Sequence, residues 1–237
     1  MTSSTRTSDS TPNNAWAAFV RAAPAGLALV PVGLLFGVLA AQANWNALEV
    51  LLFSMLGFSG SGQFALLPLA GQGMGFLTLL LVAVSINSRY VPIAFIAASR
   101  LPRVPVRRVL LAHLLGDEAY AVERDHDASV SVLAIRLTIY GAWVLSTVAG
   151  VLAAGLLPRS LPGGINLGFP GSVVLLALSF GQLKARVPRI AAPWHRRLVE
   201  IGLCITAAIL LFAWLGPVWF WLPSIAFSSW RLWRAGA

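Results

Sequence analysis

Three short stretches of this sequence hold residue types from which a binding or proton-transfer site can be built. The first is Gly57-Phe58-Ser59-Gly60-Ser61-Gly62-Gln63. Glycine costs a helix interior roughly 1 kcal/mol relative to alanine, so this cluster interrupts a regular helix. The amides freed at the break, and a short helix starting from Gln63, form a cradle. Its unpaired N–H groups and positive helix end favour a carboxylate. Ser59, Gly60, Ser61, Gly62 and Gln63 are therefore candidate substrate-binding residues, with the hydroxyls and the amide side chain supplying neutral hydrogen bonds. Close helix packing through small residues is the competing reading. The second stretch is Asn87-Ser88-Arg89-Tyr90. A charge at a helix centre costs about 2.5–3.5 kcal/mol on insertion scales. Arg89 should thus face the protein interior, either serving substrate or coupling or holding two helices together, and Asn87 is a polar candidate beside it. The third stretch is His113 with Asp117-Glu118. His113 and Asp117 are four apart and would share a helix face. A carboxyl inside the membrane is pushed toward its neutral form and can then carry a proton. A solvated pair at the outer interface is the alternative.

The elements that must position these groups follow from composition. Of 237 residues, 58% are hydrophobic and 11% charged, against about 25% charged in soluble domains. Mean hydropathy is +0.79. A bilayer is the solvent that makes such a chain sensible, and the length allows roughly six to eight crossings. The fold class expected is all-α: a polytopic transmembrane helix bundle, one membrane domain over residues 15–237, behind a polar, disordered tail at 1–14. Apolar runs cover 25–43, 48–70, 76–99, 109–122, 130–157, 169–183, 198–215 and 218–230, after a short helix at 15–23. The net charge of +9 comes from clusters between these runs, not from a basic stripe with stacking aromatics, so nucleic acid is not an expected partner. The one cysteine, Cys204, lies in an apolar run, and no Cys/His cluster offers a metal site. No cofactor is called for.

Orientation comes from the positive-inside rule. Suppose 48–70 and 169–183, the two runs broken by Gly and Pro, each enter and leave on one side. Then the N-terminus and the basic clusters at 100–108, 184–197 and 231–234 face the cytoplasm, and the acidic loop with Glu123, Asp125 and Asp127 faces outward. Arg136 falls near an interface, where it can snorkel. An internal repeat supports the two broken segments. Gly37-Val38-Leu39-Ala40-Ala41 recurs as Gly150-Val151-Leu152-Ala153-Ala154, and Gly57-Phe58-Ser59-Gly60-Ser61 as Gly168-Phe169-Pro170-Gly171-Ser172. The repeats span 25–99 and 130–215. With an odd number of crossings between them the copies are inverted, as in many secondary transporters whose site lies at the repeat interface. Gly171 and Ser172 are then the symmetry-related binding residues.

These motifs resemble those of the AzlC-type branched-chain amino acid permeases, named for azaleucine resistance. The residues carrying the resemblance are Phe58-Ser59-Gly60-Ser61-Gly62-Gln63-Phe64, Asn87 with Arg89, and Gly116-Asp117-Glu118. It is strong over 15–122 and weaker beyond. The family shows Phe-Ala-Gly-Ser-x-Gln-Phe, Asn-x-Arg-His and Thr-Asp-Glu. Here Ser59, Tyr90 and Gly116 stand in for the Ala, His and Thr, and the family's Asp near Gly168 is missing. The resemblance implies the large subunit of an exporter of branched-chain or other small apolar amino acids in the bacterial cytoplasmic membrane, with a small AzlD-type membrane partner. It implies no enzyme. Arg89, His113, Asp117 and Glu118 would form the charge and coupling network. No Gly-x-x-x-x-Gly-Lys-Ser/Thr run offers an ATP site, so coupling would come from a gradient such as protons. Two rival readings remain: a channel of the same architecture, and an intramembrane serine protease built on Gly57-Phe58-Ser59-Gly60 with His113.

Overall fold

A computed structural model of the chain describes residues 15–88, 90–98, 101–124, 127–156, 176, 180 and 193–236. The tail, Arg89, and the second broken run with Gly171 and Ser172 lie outside them. Among the described residues every regular element is a helix, as the composition requires. Three are long and apolar enough to cross a membrane. Helix α1 (Ala15–Gln42) runs unbroken through the segment expected as a separate short helix. Its 28 residues span about 42 Å, more than the roughly 30 Å hydrocarbon core. The other two are α8 (Ser129–Ala154) and α9 (Trp194–Trp219), the latter kinked at Gly216, whose φ is 76°.

Lipid tails supply no hydrophobic drive between helices, so small residues that let backbones approach do this work. A Cβ on Gly26 would touch Thr138 and Ala142, one on Gly33 would collide with Ser146, and one on Gly37 with Thr147 and Gly150. The contacts climb both helices together, so α1 and α8 run parallel. The Gly33–Ser146 and Gly37–Gly150 pairs share the 113-residue offset of the repeated motif. The two copies of this motif therefore touch each other directly and point the same way. The inverted relation expected from the sequence does not hold for them.

The reason lies in what connects these helices. Helix α2 (Ala47–Gly57) opens with a capping box between Asn46 and Glu49, which occupies Glu49 at a helix start. It ends at Phe58, and extended Ser59 caps α3 (Gly60–Gly71). Ser54 and Gln63, nine residues apart, bond side chain to side chain at 2.9 Å. Val50 and Leu67 share one core cluster with Phe36 and Leu39 of α1. The run at 48–70 is thus a hairpin folded at Phe58-Ser59, entering from the C-terminal end of α1. Helix α4 (Phe76–Asn87) returns antiparallel to α3, packing Val82 and Ile86 on Leu66. Helix α5 (Tyr90–Ala97) carries the descent on, with Ile93 and Ala97 packed near Leu115 and Tyr120.

A second hairpin follows where a crossing was expected. Helices α6 (Pro105–His113) and α7 (Asp117–Val122) have 9 and 6 residues, about 14 and 9 Å, and neither spans the core. Arg136 of α8 reaches both arms. Its Nη1 donates to the Leu111 carbonyl at 2.6 Å, and its Nε and Nη2 to Glu123 at 2.6 and 3.0 Å. The chain therefore turns back at 114–116 and leaves on the side it entered. Two further expectations fall with that crossing. The acidic loop lies at the N-terminal end of α1, where Arg21 pairs with Asp127. Asp127 and Glu123 answer Arg21 and Arg136 rather than marking the opposite face. Arg136 does not snorkel: it is 0% exposed, with a carboxylate and a carbonyl supplied inside the protein. Helix α10 (Trp221–Gly236) folds back along α9, joined by Arg231 and Glu200 through bonds of 2.7 and 2.9 Å. The basic residues at 195–197 and 231–234 thereby share one end of that pair.

Candidate functional site

Three interruptions of helix meet in one place. The two hairpin tips approach from opposite faces, and the junction between α4 and α5 lies beside them. Between them is a cavity of about 210 Å³, below the roughly 300–1,000 Å³ of drug-sized ligand pockets. Leu56, Gly57 and Phe58 come from the first tip, and Ala112, His113 and Leu115 from the second. Asn87, Tyr90 and Ala94 complete the wall. The lining mixes apolar side chains with the hydrogen-bonding groups of Asn87, Tyr90 and His113.

The tips touch. His113 Nε2 lies 2.7 Å from the Met55 carbonyl oxygen, to which the Tyr140 hydroxyl donates at 3.1 Å. To donate there, His113 must carry a proton on Nε2. Phe58 packs against Tyr140 in a tilted arrangement, ring centroids 4.9 Å apart, and a Cβ on Gly116 would lie 3.3 Å from the Phe58 ring. Gly116 therefore allows the second tip to seat on the first.

The glycine-serine motif is anchored from below by α8. Gln63, 1% exposed, donates to Ser54 at 2.9 Å and accepts from the Trp143 indole at 2.6 Å. The Thr147 and Ser54 hydroxyls lie 2.9 Å apart. Gly60 lies against the Trp143 ring, 3.1 Å from where its Cβ would stand. Ser59 Oγ accepts from the Gly62 amide at 3.3 Å and so caps α3. Ser61 Oγ and Asn87 Oδ1 are buried, and neither has a hydrogen-bond partner among the described residues. The Gly62 Cβ position is 3.8 Å from Asn87 Oδ1, which brings the first and second motifs together.

Asn87 and His113 are thus the sequence-identified residues that line the cavity, while Ser59, Gly60 and Gln63 pack the tip that bounds it. Asp117, 6% exposed, and Glu118 open α7 directly after the Leu115 edge. His113 and Asp117 do not share a helix face, because the turn at 114–116 separates them. Ser59 is engaged as the cap of α3 and His113 at the Met55 carbonyl. Among the described residues no cluster could hold a metal ion. Sequence reading missed Trp143, Ser54 and Thr147. A tryptophan within a long apolar run was the available signal, since its buried N–H needs an acceptor. It also missed the Arg136–Glu123 pair.

A family model described as AzlC protein matches residues 24–157. An uncharacterized membrane protein of Archaeoglobus fulgidus is 34% identical over 170 residues, covering 71% of this chain and 75% of that one. One from Helicobacter pylori strain 26695 is 27% identical over 128 residues, 49% of this chain and 56% of its own. Inner membrane protein YgaZ of Escherichia coli K12 is 25% identical over 196 residues, 79% of this chain and 75% of its own. No solved structure matches.

Proposed function

The chain belongs to the AzlC protein family, and from that premise we propose that it is a secondary transporter exporting branched-chain or other small apolar amino acids across the bacterial cytoplasmic membrane. The observation that carries the reading is the cavity of about 210 Å³ at the meeting of three helix breaks. Broken helices at mid-membrane are how secondary transporters hold charged substrate ends. The C-terminal carbonyls of α2 and the N-terminal amides of α3 bring partial charges of opposite sign to one tip, which suits a zwitterion. Leu56, Phe58, Ala94 and Leu115 supply apolar wall for an aliphatic side chain. Ser61 and Asn87 offer the neutral hydrogen bonds, with Ser59, Gly60, Gly62 and Gln63 fixing their place.

In this reading Asp117 or Glu118 exchanges a proton for substrate, and Arg89 with His113 sets the charge balance near them. Gly171 and Ser172, in the second copy of the motif, are the corresponding substrate-binding residues in this reading. The N-terminal end of α1 carries Arg21, Arg103, Arg107, Arg108 and Arg124, and faces the cytoplasm under the positive-inside rule. A small AzlD-type membrane subunit completes the exporter. The test is counterflow of leucine in proteoliposomes. Ala112→Phe, which fills the cavity, abolishes flux with the protein still folded. Asp117→Asn with Glu118→Gln retains exchange but loses acceleration by a pH gradient. Normal flux through Ala112→Phe contradicts the site, and undiminished gradient-driven export by the double variant contradicts the proton role.

A further inference from the structure

At the paired end of α9 and α10, cations outnumber carboxylates. Glu200 is held by Arg231 through two bonds. Arg197 stands one turn before Glu200, and Arg234 one turn beyond Arg231. The helices are antiparallel, so both guanidiniums fall at the same end, with Arg196 beside them. Arg197 and Arg234 lie over tryptophan rings, 5.3 Å from Trp194 and 4.6 Å from Trp230. Arg197 Nε is buried with no hydrogen-bond partner among the described residues. No ion pair within those residues neutralises Arg196, Arg197 or Arg234. Three arginines gathered at one end of a helix pair, with the nearby Glu200 carboxylate already engaged, favour an anion there.

The surroundings identify it. Trp194 and Trp230 are exposed, and below them α9 turns Leu198, Ile205 and Ile209 outward. Tryptophan at the end of an apolar helix sits at headgroup level. Two arginine forks match the oxygens of a phosphodiester, and basic clusters at helix ends attract anionic headgroups. We propose that Arg196, Arg197 and Arg234 form a headgroup site for an anionic phospholipid, positioned by the Glu200–Arg231 bond and walled by Trp194 and Trp230. The site stands apart from the transport reading.

The test is thermal unfolding of the purified full chain in neutral detergent with added phosphatidylglycerol, phosphatidylcholine or inorganic phosphate. Phosphatidylglycerol should raise the midpoint by about 3 °C more than phosphatidylcholine, a shift readable for a chain of this length. Inorganic phosphate should not reproduce it. Arg197→Gln with Arg234→Gln should remove the difference, whereas Arg107→Gln with Arg108→Gln, in the other basic cluster, should keep it. If the first variant does not fold, Arg196→Gln with Arg234→Gln serves, read by the phosphatidylglycerol retained per protein in mass spectrometry. Equal effects of the two lipids, an equal effect of inorganic phosphate, or equal loss in both clusters overturns the proposal.

Discussion

Arg136 and Glu123 meet through bonds of 2.6 and 3.0 Å, with both side chains 0% exposed. The same guanidinium holds the Leu111 carbonyl at 2.6 Å. One side chain on α8 thus closes both arms of the hairpin that carries His113 to the cavity.

Breaking that pair leaves a buried charge without its partner, which costs about 3–5 kcal/mol. Arg136→Gln and Glu123→Gln should each lower thermal stability by amounts of that order. Replacing both with apolar residues of similar volume should cost less than either single change, because no charge is then stranded. Unfolding midpoints of the three variants check this. A double variant worse than both singles would contradict it.

The α1–α8 seam predicts opposite signs for the same substitution. A Cβ on Gly37 would stand 2.8 Å from the Gly150 Cα, and one on Gly150 would stand 3.0 Å from the Gly37 Cα. Gly37→Ala and Gly150→Ala should destabilise by about 1–3 kcal/mol through overpacking. Nothing lies within 4 Å of such an atom at Gly141 or Gly202. There the helix gains the propensity difference, roughly 0.5–1 kcal/mol. Four alanine variants compared by unfolding midpoint settle the signs.

Gln63 and Ser61, two residues apart, should behave differently. Gln63→Leu strands the Trp143 N–H and removes a donor to Ser54, at about 1–3 kcal/mol for each unsatisfied group. Ser61→Ala removes a buried hydroxyl with no partner among the described residues, so stability should hold or rise, because an unsatisfied buried group costs about 1–3 kcal/mol, while leucine transport falls. Ser61→Ala with unchanged transport would take Ser61 out of the substrate site.

Topology is open to labelling. In a Cys204→Ser background, single cysteines at Val104 and Ala128 should react with a membrane-impermeant maleimide from the same face, and one at Gly73 from the other. Labelling of 104 and 128 from opposite faces would restore the crossing that α6 and α7 replace.

The break at 57–62 was legible because glycine weakens a helix wherever it stands, and the chain folds back there. The repeated Gly-Val-Leu-Ala-Ala was legible as a pattern, but its geometry was not. Parallel or inverted depends on how many crossings intervene, and hydropathy reads 109–122 as one continuous run. The turn at 114–116 carries only Gly116 as a signal. Arg136 was visible as a charge in an apolar run. Its partner Glu123 lies 13 residues away, beyond any helical spacing, and only the tertiary fold joins them. Trp143 and Gln63 are 80 residues apart, so the anchoring of the first tip had no local signature at all.

The central claim is export, and efflux from cells preloaded with dipeptides of valine, leucine, isoleucine or methionine tests it most directly. Cells carrying this chain with a small AzlD-type subunit should lose at least one of these amino acids faster than cells with neither protein, and Ala112→Phe should erase the difference. Equal efflux of all four, with both proteins verified in the membrane, would contradict the account.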